Sequence, residues 1–284
     1  MSDIIFLEPI FKKSIWGGNS IKNAFDYIIP DDPIGEAWVI SGHSEADLKI
    51  KNGKFKNLNL GSVYRKNKHL FGNMKSDQFP FLVRLIDVNE DLPPEVCSEV
   101  AKAYYIIKAK KEQTMRIGNL AQTKEEWRHK IIENTYLDLM KRKPLTEGDF
   151  IYIPAGTVYQ LQKGVLVMEF GLSLGKSYNS IDHLDMLINS ISLSAHEEIN
   201  AHQLFLVDGS KIIQYINRKA FTIEKWEIRD VLDLENRGFK MMSIISGKGF
   251  VNGTKIKKGE HFIILNDIKH LQLEGTMEII VSYL

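Results

Sequence analysis

The distribution of β-forming residues constrains the fold of this chain more than any other feature of the sequence. Eight runs rich in aromatic and β-branched residues are bounded by turn formers: FPFLVRLIDV, YYIIKAK, FIYIPAG, GVLVMEFG, FTIEKWEI, KMMSIISG, HFIILN and MEIIVSYL. Runs of this kind are typical of strands. Many short strands at short intervals favour antiparallel sandwiches or barrels over a parallel α/β sheet. The sequence therefore predicts a mainly β protein.

A few segments are predicted to be helical, and they lie at residues 60–72, 123–142 and 180–192. In the second, Thr123 is followed three residues later by Glu126, which is the capping-box pattern of a helix start. In the third, apolar residues recur at helical spacing and give one apolar face.

The polar segment ISLSAHEEINAHQL lacks a clear period and predicts a domain boundary near residues 190–205. We therefore expect an N-terminal domain over residues 1–195 and a smaller C-terminal β-domain over 203–284. Within the second domain, Asn252-Gly253 between two apolar-alternating runs predicts a hairpin. The stretches KPLTEGDFIYIPAG and TKIKKGEHFIILND both place a glycine-acid pair before an apolar strand, which suggests two related barrels.

Composition excludes several classes of function. The net charge is +1, from 37 basic and 36 acidic residues, so nothing indicates nucleic acid or an anionic membrane as partner. No window approaches the roughly 20 apolar residues of a membrane helix, and the N-terminus does not resemble a secretory signal. The single cysteine, Cys97, excludes an internal disulfide. We expect a globular protein of the reducing cytoplasm.

Six motifs, in one order along the chain, carry a resemblance to a known family: FKKSIWGG, IGEAWVISGH, FPFLVRLIDVNEDL, GDFIYIPAGTVYQL, GVLVMEFG and KKGEHFIIL. Together they resemble the short bacterial form of the type I mannose-6-phosphate isomerases, which belong to the cupin superfamily. The resemblance covers essentially the whole chain. It implies two cupin-type jelly-roll barrels, also called double-stranded β-helices, with a few helices.

The resemblance also implies an activity and a metal. Members of the family interconvert an aldose phosphate and a ketose phosphate through an enediol, with zinc as Lewis acid and a positioned base. The family's zinc ligands are a Gln-x-His pair, a glutamate and a cupin-motif histidine. In this chain those positions hold Glu95, Cys97, Lys102 and Tyr159, and the family's arginine position holds Asn179.

These substitutions argue against a zinc site of the family's kind. A lysine ammonium repels a metal cation, and a neutral tyrosine phenol rarely ligates zinc. We therefore expect no cofactor, and no metal at these positions. One alternative remains open, because Glu95, Cys97 and Glu99 alternate along the chain and share one face if the segment is extended, where they could hold a metal in a rearranged way. The simpler interpretation of Cys97 is a small buried hydrophobe.

Other residues of the family's motifs are candidates for a pocket. Trp16, Glu36 and Tyr178 are predicted to contact a bound sugar, although packing is the plainer role of Trp16, Glu36 and Trp38. Arg84, Lys102, Tyr159 and Glu169 are predicted to line the former active site. We expect Glu169 to form an ion pair with Arg84 or Lys102, whose charge would replace the missing metal. His43 is expected to be structural or on the surface, and His261 to point outward from its strand.

Three functions remain open from the sequence. The chain is interpreted first as a non-catalytic member of the isomerase family in carbohydrate metabolism that binds a sugar or sugar phosphate. The second interpretation is an active mannose-6-phosphate isomerase with a rearranged metal site that uses zinc. The third is a structural or interaction module with a filled pocket. Protein partners and oligomeric state are not predicted.

Overall fold

The computed structural model describes residues 4–29, 31–97, 100–172, 177–179, 183–194, 203–207 and 209–284. The strands of the first half are β1 (Ile5–Phe6), β2 (Ile10–Gly18), β3 (Ile34–Ile40), β4 (Gly42–His43), β5 (Ala46–Asp47), β6 (Phe81–Val88), β7 (Glu95–Cys97), β8 (Lys102–Ala109), β9 (Thr114–Ile117), β10 (Lys141–Pro144), β11 (Phe150–Ile153), β12 (Val158–Gln160), β13 (Val165–Leu172) and β14 (Ser177–Asn179). Those of the second half are β15 (Gln203–Val207), β16 (Ser210–Asn217), β17 (Thr222–Ile228), β18 (Val231–Glu235), β19 (Lys240–Val251), β20 (Thr254–Lys257), β21 (His261–Ile264) and β22 (His270–Tyr283). The helices are α1 (Ser20–Phe25), α2 (Leu60–Lys66), α3 (Lys124–Ile132) and α4 (Leu184–Ser190), with 3₁₀ turns at Gly53–Phe55, Lys68–Phe71 and Tyr136–Leu139.

The mainly β prediction is confirmed. Each of the eight predicted runs lies in a strand, and every strand pair in the described part of the chain is antiparallel. No helix among the described residues is long and apolar enough to cross a membrane.

Two sheets form the first barrel. One has six strands in the order β11-β8-β13-β6-β3-β2, and the other has five in the order β10-β9-β12-β7-β14. Apolar side chains from both sheets meet between them, among them Ile86 and Ile106 from the first sheet and Met115 and Ile117 from the second. The candidate functional site lies in this space between the sheets.

The second barrel repeats part of this arrangement. Its strand order β21-β19-β22-β17 matches β11-β8-β13-β6, with the strands following one another along the chain in the same sequence. Strand β21 carries HFII and β11 carries FIYI, the strands of the two glycine-acid motifs. This correspondence supports the interpretation of two related barrels. The short strand β1, from the first residues of the described chain, pairs with β21. It thereby forms an edge of the nine-stranded sheet of the second barrel.

The two barrels pack through the outer face of the six-stranded sheet. Phe150 stacks on Tyr215 with ring centroids 4.8 Å apart, and Phe81 meets Phe221 edge-on at 5.7 Å. A continuous apolar core runs from the first barrel into the second at this contact. The domain boundary expected near residues 190–205 stays a prediction, because residues 195–202 of that range lie outside the described residues.

The predicted hairpin of the second barrel is confirmed. Strands β19 and β20 pair on either side of the turn, where Asn252 and Gly253 have φ angles of 45° and 75°. Two consecutive left-handed residues are the geometry of a type I′ turn, which Asn-Gly adopts readily.

The helix predicted over residues 123–142 is too long. It ends at Ile132, because Asn134 has a left-handed φ of 56°, and the remainder forms a 3₁₀ turn and strand β10. The start is correct, since the Thr123 Oγ1 accepts a hydrogen bond of 3.1 Å from the Glu126 backbone N–H. The capping-box pattern therefore located the start of this helix, and the sequence did not indicate its end.

Replacing Thr123 by Ala is expected to destabilise the protein by about 1 kcal/mol, because it removes the acceptor for a backbone N–H at the start of the helix. The measurement is urea denaturation followed by circular dichroism. Thr135→Ala is a matched control, since Thr135 precedes a 3₁₀ turn without a side-chain capping bond. Equal losses in the two variants would contradict a capping role for Thr123.

The outward position predicted for His261 is wrong. His261 is 1% exposed, and its ring nitrogens lie 2.7 Å from the Tyr27 hydroxyl and 2.8 Å from the Ser243 hydroxyl. Burial, with a smaller effect of the Lys51 charge, lowers the pKa of His261 to about 3. Both faces of strand β21 are covered, because Tyr27 of the first barrel packs over the face that carries His261.

Candidate functional site

Strand register places a group of charged and polar side chains on the inner face of the six-stranded sheet. Glu169 on β13 lies opposite Arg84 on β6 and opposite Tyr104 on β8. Residues directly opposite one another in an antiparallel pair share a face. Lys102 lies two residues before Tyr104 and therefore projects from the same face of β8.

Glu169 is the centre of this group. Its Oε1 accepts a hydrogen bond from Arg84 Nε at 2.8 Å, and its Oε2 accepts from Arg84 Nη2 at 3.2 Å, Tyr104 OH at 2.8 Å and Lys102 Nζ at 3.4 Å. Glu169 is 3% exposed. Burial raises its pKa, but the charges of Arg84 and Lys102 outweigh burial and lower the pKa to about 2. The ion pair expected from the sequence is present and involves both cations.

Glu36 extends the network toward β3. Its Oε1 accepts from Arg84 Nη1 at 3.1 Å, and its Oε2 accepts from Trp38 Nε1 at 2.8 Å. Burial acts to lower the pKa of Arg84, but the carboxylates of Glu169 and Glu36 raise it well above the ordinary value. Arg84 is therefore a fixed cation held between two carboxylates.

Tyr159 links the two sheets. Strand β12 pairs with β7 so that Tyr159 lies opposite Glu95. The Tyr159 hydroxyl donates to Glu95 Oε2 at 2.5 Å and accepts from Lys102 Nζ at 2.9 Å. Burial, and next the Glu95 charge, raises the pKa of Tyr159 well above 10, so the phenol stays neutral.

Lys102 is a buried cation at the end of this network. Burial acts to lower its pKa, but Glu169, Cys97 and Glu95 together raise it above the ordinary value. The ammonium lies 4.0 Å from Glu95 Oε2 and 5.3 Å from the centre of the Tyr159 ring. It therefore remains protonated at neutral pH.

The residues at the family's zinc positions do not fit a zinc ion. Glu95, Cys97, Lys102 and Tyr159 do converge, but the ammonium of Lys102 lies where a metal cation would need negative or neutral donors. In the described part of the chain no group of three or more His, Cys, Asp or Glu side chains could hold a metal. The alternative triplet cannot be placed as a whole, because Glu99 lies outside the described residues.

Other predicted site residues occupy different positions. Tyr178 and Asn179 lie in strand β14, whose backbone pairs with β7 opposite Val96 and Glu95, and only the backbone of that strand is described. His43 lies in the β4–β5 hairpin, where its Nδ1 accepts from the Glu45 N–H at 3.3 Å, and it does not line the cavity described below. Cys97 is 1% exposed, as expected of a buried hydrophobe.

A cavity of about 170 Å³ opens beside this network. Its walls include Trp16, Glu36, Arg84, Glu95, Tyr104 and Tyr159, together with apolar side chains. The Trp16 ring packs on Gly35, where an added Cβ would come within 2.7 Å of the ring. The glycine of IGEAW therefore lets the indole lie against the wall.

Sequence reasoning gave Tyr104 and Trp38 no polar role in this site. Tyr104 belongs to the run YYIIKAK, from which only a strand was predicted, and its hydroxyl donates to Glu169 Oε2. Its position two residues after Lys102 was the available signal, since alternate residues share a face. Trp38 likewise lies two residues after Glu36, whose carboxylate it holds.

The fold and the site define a two-barrel cupin-type protein with a polar pocket in its first barrel. Two family models match: "Phosphomannose isomerase type I, catalytic domain" over residues 4–116 and "Mannose-6-phosphate isomerase, cupin domain" over residues 211–284. The chain is 30% identical to the mannose-6-phosphate isomerase of Streptococcus mutans over 314 aligned residues that cover 100% of this chain and 99% of the relative. The chain belongs to the type I mannose-6-phosphate isomerase family.

Similarities to other proteins agree with this family membership. The probable mannose-6-phosphate isomerase GmuF of Bacillus subtilis is 29% identical, with all of both chains covered. The crystal structure of mannose 6-phosphate isomerase from Bacillus subtilis matches with a TM-score of 0.94 and 27% identity over 99% of both chains. A putative mannosephosphate isomerase from Archaeoglobus fulgidus, at 16% identity and a TM-score of 0.80, shows the fold alone.

Proposed function

We propose that this chain is a non-catalytic member of its family that binds a sugar or sugar phosphate and acts in cytoplasmic carbohydrate metabolism. One observation carries the proposal. The ammonium of Lys102 lies within hydrogen-bonding distance of Tyr159 and Glu169, among the positions where the family resemblance places the zinc ligands.

The protonation states of the site support the loss of isomerisation. Moving a proton between two carbons needs a base with a pKa near the working pH. Tyr159 is held neutral by burial, and Glu169 is engaged by Arg84, Tyr104 and Lys102. Neither group is arranged to take a proton from a substrate in the cavity.

The cavity supports binding over a purely structural role. It offers carboxylates and a guanidinium for sugar hydroxyls, and an indole for the apolar face of a sugar ring. Its volume of about 170 Å³ supports an open pocket beside Tyr159 over a filled one.

The alternative is an active mannose-6-phosphate isomerase that holds zinc through Glu95 and Cys97. Elemental analysis of untagged protein, with a mannose-6-phosphate isomerase assay in added zinc, decides between the two. We expect less than stoichiometric zinc and no turnover. Stoichiometric zinc with turnover lost in Cys97→Ala contradicts the proposal and establishes a rebuilt metal site.

Ligand binding is tested separately by calorimetry with mannose and with mannose-6-phosphate. A heat of binding that saturates for either ligand, without turnover, is the expected result. Absence of binding by both ligands contradicts the proposed pocket function and favours the structural module.

A further inference from the structure

The cavity walls carry more negative than positive charge. Among the described residues that line the cavity, Glu36 and Glu95 carry carboxylates and Arg84 is the single cation. Arg84 is already committed, because Nε and Nη2 donate to Glu169 and Nη1 donates to Glu36. A bound anion would therefore have to compete with two carboxylates for this guanidinium.

Among the described residues, Lys102 and Lys12 are not placed to offset this charge. Lys102 is buried behind Tyr159, and its ammonium is shared between Tyr159 and Glu169. The network in the described part of the chain contains three carboxylates and two cations, which leaves an excess of one negative charge. The carboxylates are those of Glu36, Glu95 and Glu169, and the cations are Arg84 and Lys102. The ammonium of Lys12 lies 4.3 Å from the centre of the Trp38 ring and does not line the cavity.

This charge distribution suits hydroxyl donors better than a phosphate. Carboxylates accept hydrogen bonds from hydroxyl groups and form strong ones. A phosphate monoester carries about −1.5 to −2 charges at neutral pH and would be repelled in a partly enclosed site of the same sign. The excess of negative charge around the cavity also favours a ligand that carries a positive charge.

We propose that the cavity selects a hexose without a phosphate group and discriminates against the phosphate ester of the same sugar. This inference rests on the proposed sugar-binding function. It identifies the ligand class of that site as a neutral sugar, or an amino sugar whose ammonium would meet Glu95 or Glu36.

The test is calorimetry of the intact protein with mannose, mannose-6-phosphate and mannosamine at low and moderate salt. We expect mannose to bind at least about tenfold more tightly than its phosphate ester, and mannosamine at least as tightly as mannose. Salt should reduce the difference in affinity between mannose and mannose-6-phosphate, because it screens the repulsion of the phosphate.

Glu95→Gln removes one negative charge and keeps an acceptor for Tyr159. The preference for mannose over mannose-6-phosphate should fall about fivefold or more in this variant. Glu147→Gln makes the same change of net charge at an exposed residue outside the cavity, and it should leave the preference unchanged.

The possible failures are distinguishable. Equal or tighter binding of mannose-6-phosphate overturns the inference and leaves the proposed function standing. If that binding is lost in Lys12→Ala, the phosphate is held at the edge of the site by Lys12. Absence of binding by all three ligands overturns the proposed function, and the inference with it.

Discussion

Replacing Glu169 by Gln is expected to lower the free energy of unfolding by about 3–5 kcal/mol, the usual cost of removing one partner from a buried charge network. Glu169 is 3% exposed and accepts from Arg84, Lys102 and Tyr104. Its removal takes away the carboxylate 3.4 Å from the Lys102 ammonium, whereas Glu95 Oε2 lies farther away at 4.0 Å. The measurement is guanidinium denaturation at neutral pH.

The control for this prediction is Glu147→Gln, which removes an exposed carboxylate and should change stability by no more than about 0.5 kcal/mol. Lys102→Met combined with Glu169→Gln should cost less than the sum of the two single changes, since the double variant removes both charges of one pair. Strict additivity would mean that Lys102 and Glu169 do not stabilise each other.

The same variant should change the acid sensitivity of the protein. The folded-state pKa of Glu169 is lowered to about 2 from 4.5, so its contribution is complete above the unfolded value and is lost as pH falls between them. Wild type should therefore lose about 3 kcal/mol more than Glu169→Gln between pH 5 and pH 2. His261, whose folded-state pKa is lowered to about 3, also destabilises the protein as pH falls below its unfolded pKa. Because His261 is present in both proteins, its effect cancels in the difference.

Zinc binding should appear when Lys102→Glu and Tyr159→His are combined. The two changes remove the ammonium and supply a carboxylate and an imidazole beside Glu95 and Cys97. Carboxylate, imidazole and thiolate are the ligands that zinc prefers. We expect stoichiometric zinc after dialysis and a melting temperature that rises by roughly 5 °C when zinc exceeds its dissociation constant about a hundredfold.

Tyr159→His alone is the matched control, because it adds the imidazole and keeps the Lys102 ammonium. We expect it to bind zinc far more weakly than the double variant. Equal zinc content in the two would show that the ammonium is not what excludes the metal. No zinc in a folded double variant would show that these four positions are no longer arranged as a metal site.

Much of the fold could be predicted because strands of this kind carry a local signal. Runs such as FPFLVRLIDV and GVLVMEFG formed β6 and β13, and the Asn252-Gly253 turn formed as expected. The end of α3 was missed, because the capping box marks only the start of a helix, and a left-handed residue at Asn134 stops this one. Periodicity indicates where a helix can form, and backbone geometry decides where it ends.

The candidate site was predictable only in part, because its contacts join strands that are far apart in the sequence. The family resemblance brought Glu95, Lys102 and Tyr159 to notice, and their side-chain chemistry argued against zinc. Their hydrogen bonds depend on register between strands far apart in the chain, such as the pairing of Tyr159 with Glu95. No local pattern specifies that pairing, nor the register that places Tyr104 opposite Glu169.

The sequence by itself determined the mainly β class and indicated two related barrels, because these follow from side-chain chemistry and local spacing, and its family resemblance identified the changed residues at the family's zinc positions. Only the tertiary structure decided that Lys102 is a protonated cation between Glu169 and Tyr159, and that His261 is buried beneath Tyr27. The physical reason is that charge state and burial depend on neighbours that residues acquire only when distant strands pack together.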